Sequence, residues 1–121
     1  MAANWSFDNQ RPIYSQIIEQ IKGFITAGTM EPGERLPSVR DMAAEAGVNP
    51  NTMQRAMAEL ERDGLVYSQR TSGRFITEDR ELIERTKADI AQAEVRAFME
   101  KMESLNITVE QIIQLIKEES E

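Results

Sequence analysis

Ile13, Ile17, Ile21, Phe24 and Ile25 return at three- and four-residue intervals, which predicts a helix between Arg11 and Gly28 with one apolar face turned inward. Pro12 suits the first turn of that helix and Gly28 its end. The next stretch, TMEPGERLP from Thr29 to Pro37, holds two prolines and a glycine, so a loop or short extended piece is expected. Ser38, with Asp41 three positions on, opens a short helix that ends at Gly47. Asn49 caps a second one, Pro50 takes its first helical position and Gly64 follows its end. Within it Met53, Ala56, Met57 and Leu60 make the apolar face, and Asn51, Gln54, Arg55 and Ala58 lie outside.

After Gly64 the rhythm changes. LVYSQ and RFIT are short runs rich in β-branched and aromatic residues, joined by Arg70, Thr71, Ser72 and Gly73, the composition of a β-hairpin. From Glu78 the spacing is helical again, with Ile83, Ile90, Ala91, Ala97, Phe98 and Met102 on one face. Thr108 and Gln111 have capping-box spacing, and Val109, Ile112, Ile113 and Ile116 stripe a last helix.

Laid end to end, these elements are helix, helix, turn, helix, hairpin, the order of a winged helix-turn-helix. Two helices separated by about three residues must cross steeply. Gly47 supplies a turn backbone that side chains resist, and Ala43, four residues earlier, is small enough for close packing. The expected class is therefore mainly α with a small β-hairpin: a winged domain over residues 1–77 and a two-helix tail over 78–121.

Composition narrows the function. The chain has 121 residues, no cysteine and no histidine, so disulfides, thiolate chemistry, the usual general base and the commonest metal ligand are absent. No paired carboxylates, nucleophile with a base, phosphate loop or metal cluster is discernible, so neither an enzyme nor a cofactor is expected. No apolar run approaches the roughly 20 residues needed to span a bilayer, and the start lacks the regions of a signal peptide; a soluble cytoplasmic protein is expected. A net charge of −7 argues at first against a polyanion partner. Up to Thr77, however, eight basic residues face nine acidic ones, so nearly all of the excess belongs to the tail.

The words of the sequence point further. PGERLPSVRDMA from Pro32, GVNPNTMQRAMAELERDGLV from Gly47 and SGRFI from Ser72 occur in that order. Over about Ile13 to Thr77 this pattern resembles the amino-terminal domain of the GntR family of bacterial transcription regulators, and the short helical tail resembles its YtrA-type branch. The resemblance implies sequence-specific binding of operator DNA by a dimer, most often as a repressor. The second helix of the motif would lie in the major groove and the hairpin beside the minor groove or backbone.

Carried over by resemblance, Arg40 at the end of LPS-x-R matches a DNA-contacting arginine, with Ser38 in the same motif. Asn49, Asn51 and Thr52 match the polar start of the recognition helix, and Gln54 and Arg55 its exposed face. Such a helix presents its first residues to base edges, and its unpaired N–H groups favour a phosphate. Arg35, Arg70 and Arg74 are expected at phosphates, near Thr71 and Gly73 at the wing tip. Thr71 stands where the family usually has the first glycine of Gly-x-Gly; its hydroxyl can still bond a phosphate. Phe75, Tyr14 and Tyr67 are expected to be structural, and Trp5 and Phe7 to clasp the core or a partner chain.

The tail is too short to form its own core or enclose a metabolite, so its stripes need burial elsewhere. A symmetric homodimer is expected, burying Ile83, Ile90, Phe98, Met102, Ile112, Ile113 and Ile116, with its twofold axis mirrored in a palindromic operator. The alternative is a winged-helix protein-interaction module without DNA binding. Steep weakening by salt separates the two. The operator sequence and any small-molecule effector are not written in these residues.

Overall fold

The computed structural model describes residues 4–121. Seven elements follow the predicted order: α1 (Ile13–Ala27), α2 (Val39–Ala46), α3 (Pro50–Arg62), β1 (Val66–Gln69), β2 (Gly73–Ile76), α4 (Arg80–Ser104) and α5 (Val109–Ser120). The chain divides into two compact units, Met1–Lys87 and Ala88–Glu121. The division falls inside α4, and Ile83 shows why: it is 8% exposed and belongs to the core of the first unit.

That core is assembled from the predicted stripes. Ile17, Ile21 and Ile25 of α1 meet Met42 and Ala43 of α2 and Met53, Ala56, Met57 and Leu60 of α3, and Leu65, Val66 and Ile76 close it from the hairpin. Burying an aliphatic side chain of this size contributes about 1.5–3 kcal/mol, so the stripes themselves fix which faces turn inward. The helix starts are secured locally. Ser38 Oγ accepts from Asp41 N at 3.1 Å and Asn49 Oδ1 from Asn51 N at 2.7 Å. Between the two helices Gly47 takes φ +72°, and Val48 N donates to Ala43 O at 2.9 Å, so the chain leaves α2 and enters α3 almost at once. Left-handed backbone at that corner is what a side chain resists.

In the wing β1 and β2 pair antiparallel, with Tyr67 opposite Phe75 and Ser68 opposite Arg74. The Tyr67 and Phe75 rings stack at 5.6 Å. The stretch expected as a loop or short extended piece adds a third edge through a bridge between Arg35 and Phe75, with Leu36 N donating to Arg74 O at 2.8 Å and Ile76 N to Glu34 O at 2.9 Å.

The segment before α1 is held by two glutamines that the periodicity did not single out. Gln20 accepts from Ser6 N and donates back to Ser6 O, while Gln16, 2% exposed, accepts from Asp8 N and donates to Asp8 O and Arg11 O. Each amide mimics a strand edge, pairing with a backbone N–H and C=O of the segment, and for Gln16 this satisfies a buried side chain. Trp5, as expected of a clasp, packs on the core, its ring edge-on to Phe24 at 5.3 Å and stacked on Phe7 at 6.1 Å.

In the second unit α4 ends in an Asn cap: Asn106 takes φ +60°, and Ile107 N donates to Met102 O at 3.0 Å. The predicted capping box follows, Thr108 and Gln111 bonding reciprocally to start α5. Ile112 is buried within this unit, whereas Val95, Phe98, Leu105, Val109, Ile113, Leu115 and Ile116 are each 44–58% exposed. Among the described residues no helix is long and apolar enough to cross a membrane.

Candidate nucleic-acid interface

A helix of thirteen residues with one wholly buried face has only the opposite face left to present. On α3 that face is Asn51, Gln54 and Arg55, all exposed, at the end where the backbone N–H groups lack intrahelical partners. The Asn49 oxygen is engaged in capping, and Thr52 is half-buried. Asn51, Thr52 and Arg55 share a shallow groove with Ile13 and Tyr14 of α1. In it the Arg55 guanidinium carbon lies 3.6 Å from the centroid of the Tyr14 ring. The aromatic face holds the cation in place without neutralising it. Tyr14, expected to be structural, thereby joins the candidate site through a contact forty-one positions along the chain, which short-range spacing does not show.

The wing joins the same face of α3. Arg74 Nη1 donates to Gln54 Oε1 at 3.3 Å, and Arg74 Nε lies 3.5 Å from Glu61 Oε1, an ion-pair distance without hydrogen-bond geometry. Ser68 Oγ of β1 donates to the same Glu61 oxygen. Arg74, expected at a phosphate, is thus bound inward to α3 with its side chain only 22% exposed. At the wing tip Gly73 takes φ +99°, and the Arg35 guanidinium lies across it: an added Cβ would sit 3.4 Å from Arg35 Nε. Arg70 and Thr71 are exposed in the turn.

The ion pairs sort the cations up to Thr77 into two groups. Arg11 pairs with Asp8 and Glu19, Lys22 with Asp63, Arg62 with Glu59 and Arg74 with Glu61. Arg35, Arg40, Arg55 and Arg70 form no ion pair among the described residues, and every one of them is an expected DNA contact. Arg40 does not pair with Asp41 or Glu45 on its own helix, and no hydrogen bond or ion pair joins it to α3. Ser38 is exposed and serves as the α2 cap. No group of acidic residues that could hold a metal occurs among the described residues.

Two members of the expected dimer face are already covered within their own chain. Ile83 is a core residue of the first unit, because the first turns of α4 pack there, and Ile112 is 4% exposed inside the second unit. Phe98, Ile113 and Ile116 are open, while Ile90 and Met102 are half-buried. Val95, Leu105 and Leu115 extend the open apolar surface beyond the residues that the stripes suggested.

Residues 13–76 match the family described as bacterial regulatory proteins, gntR family. The chain is 38% identical to the HTH-type transcriptional repressor YtrA of Bacillus subtilis, across 79% of this chain and 69% of that protein. A solved GntR family transcriptional regulator from Listeria monocytogenes superposes with a TM-score of 0.86 at 43% identity, covering 93% of this chain and 98% of the other. The DNA-binding domain of AraR, solved in complex with operator ORX1, superposes with a TM-score of 0.56 at 26% identity, covering 64% of this chain and 99% of that one. The chain belongs to the gntR family of bacterial regulatory proteins, as a DNA-binding transcription regulator of YtrA type.

Proposed function

We propose that this chain is a repressor that binds a palindromic operator as a homodimer, with α3 in the major groove and the wing against the backbone. The observation that carries the reading is the division of the cations. Arg11, Lys22, Arg62 and Arg74 are paired with carboxylates, whereas Arg35, Arg40, Arg55 and Arg70, the expected DNA contacts other than Arg74, are left without a counter-charge among the described residues. An unpaired arginine beside a helix N-terminus is matched by a phosphate or by the O6 and N7 acceptors of guanine. In this reading Asn51, Gln54 and Arg55 face base edges, with Thr52 and Asn49 at the rim. Arg40 and Ser38 approach from α2, and Arg35, Arg70 and Thr71 hold phosphates around the Gly73 tip.

The open apolar residues of the second unit support a second copy as the partner. Monomeric proteins rarely leave so many large apolar side chains uncovered together. A symmetric pairing of Phe98, Ile113 and Ile116, with Ile90 and Met102 at its margin, removes them from water and supplies the twofold axis that a palindrome mirrors. The acidity of the tail keeps that surface away from DNA.

The test is selection of bound duplexes from a random library, followed by titration of the recovered operator with the parent, Arg40→Ala and Arg55→Ala. A palindromic site and a loss of roughly five-fold or more in each variant are expected, since a good base or phosphate contact is worth about 1–3 kcal/mol. If both variants bind the operator as tightly as the parent, the assignment of this face is wrong.

A further inference from the structure

We propose that Arg74 fixes which end of the Gln54 amide faces DNA, so that Gln54 selects a base-edge acceptor, guanine or thymine, instead of pairing through both its ends with adenine. The inference rests on the proposed entry of α3 into the major groove.

A free glutamine amide carries a donor and an acceptor side by side, and with both it pairs to adenine N6 and N7. Here the oxygen is turned toward the wing, with one of its two lone pairs engaged. Arg74 Nη1 donates to Gln54 Oε1 at 3.3 Å. A guanidinium has donors only, so it cannot accept from the amide nitrogen. Turning the amide over would set an NH2 group against a cation, donor to donor. The oxygen therefore stays toward the wing, and the NH2 group is the end left for the groove. Among the described residues Gln54 Nε2 donates to no acceptor.

Arg74 is itself fixed before any DNA arrives. Its backbone oxygen accepts from Leu36 N at 2.8 Å, and it stands opposite Ser68 in the hairpin. Its Nε lies against Glu61 Oε1, which also accepts from Ser68 Oγ. With most of the side chain buried, the guanidinium has little freedom to leave Gln54 for a phosphate. Wing and recognition helix are thus joined at an amide whose orientation decides a base preference. Adenine offers the NH2 group its N7 acceptor, but the neighbouring N6 donor then meets no free oxygen, because the amide oxygen is turned toward the wing beside a cation. Guanine O6 and N7 and thymine O4 are acceptors that match the free NH2 group.

The experiment compares base preferences of the full chain, selected from randomised duplexes, for the parent, Gln54→Ala, Gln54→Glu and Arg74→Met. Gln54→Ala identifies the operator position that Gln54 reads, and there the parent is expected to prefer guanine or thymine over adenine by at least about five-fold, the lower end of a good base contact. Arg74→Met frees the oxygen and is expected to move that position toward adenine. Gln54→Glu, at an exposed position that folding tolerates, has no donor and is expected to lose the guanine or thymine preference even if Arg74→Met is too unstable to assay. A parent preference for adenine there, an unchanged preference in Arg74→Met, or a retained one in Gln54→Glu overturns the inference. If Gln54→Ala alters no position, the placement of Gln54 in the groove fails, and this inference falls with it.

Discussion

The guanidinium of Arg55 rests on the ring of Tyr14, 3.6 Å from its centroid, so a residue of the first helix sets the aim of one on the third. Such a contact at an exposed site is worth about 0.5–1 kcal/mol, and here it acts by holding a long side chain in one direction. Tyr14→Leu should weaken operator binding roughly two- to five-fold, the equivalent of that energy. Tyr14→Phe, which keeps the ring, should bind as the parent does. Fluorescence anisotropy with a labelled operator reads both, and equal affinity for all three proteins would remove Tyr14 from the site.

Gly47 and Gly73 both carry positive φ, but they differ in surroundings. An added Cβ at Gly47 meets open space, so Gly47→Ala should cost only the backbone term, about 1 kcal/mol. For a domain of this size that lowers the melting temperature by roughly 4–8 °C. At Gly73 the Cβ would stand in van der Waals contact with the Arg35 guanidinium, so in the proposed arrangement Gly73→Ala should also restrict Arg35 at the wing tip and weaken binding beyond its thermal effect. Calorimetry beside an operator titration separates the two; an unchanged affinity in Gly73→Ala would show that Arg35 does not act through the wing tip.

Ile83 and Ile113 make a paired test of the tail. Ile113 is 48% exposed, so Ile113→Asp should leave the melting temperature of the first unit almost unaltered and convert a dimer into a monomer in light scattering. Ile83→Ala opens a cavity in the core of the first unit and should cost about 2 kcal/mol or more without changing the mass measured at low temperature. A parent that is already monomeric at micromolar concentration would rule out the twofold arrangement.

Salt dependence counts the phosphate contacts. Each contact contributes about 0.9 to the slope of log K against log salt, so Arg70→Ala should flatten the slope by close to that amount per subunit while leaving the preferred sequence unchanged. A changed sequence preference would make Arg70 a base reader.

Much of this was legible along the chain. The stripes of α1 and α3, the caps at Ser38, Asn49 and Thr108 and the glycine at the turn act over three or four residues, and such short-range rules can be read in one dimension. The Ser38 and Asn49 hydrogen bonds form where the spacing placed them. Less legible were groups whose role depends on a distant neighbour. Gln16 and Gln20 look like ordinary polar positions until the segment before α1 folds back on them.

The sequence by itself determined that α3 has one buried face and one polar face, and that Asn51, Gln54 and Arg55 are what the polar face offers, because helical periodicity and core burial leave no other choice. Only the tertiary structure decided what those residues lean on. Arg55 takes its direction from Tyr14, forty-one positions earlier, and Gln54 accepts from Arg74, twenty positions later. It also assigned Ile83 to the core of the first unit, although its spacing matched the stripe of the tail. Periodicity names the face a side chain shares; which neighbour covers that face depends on contacts between elements far apart in the chain.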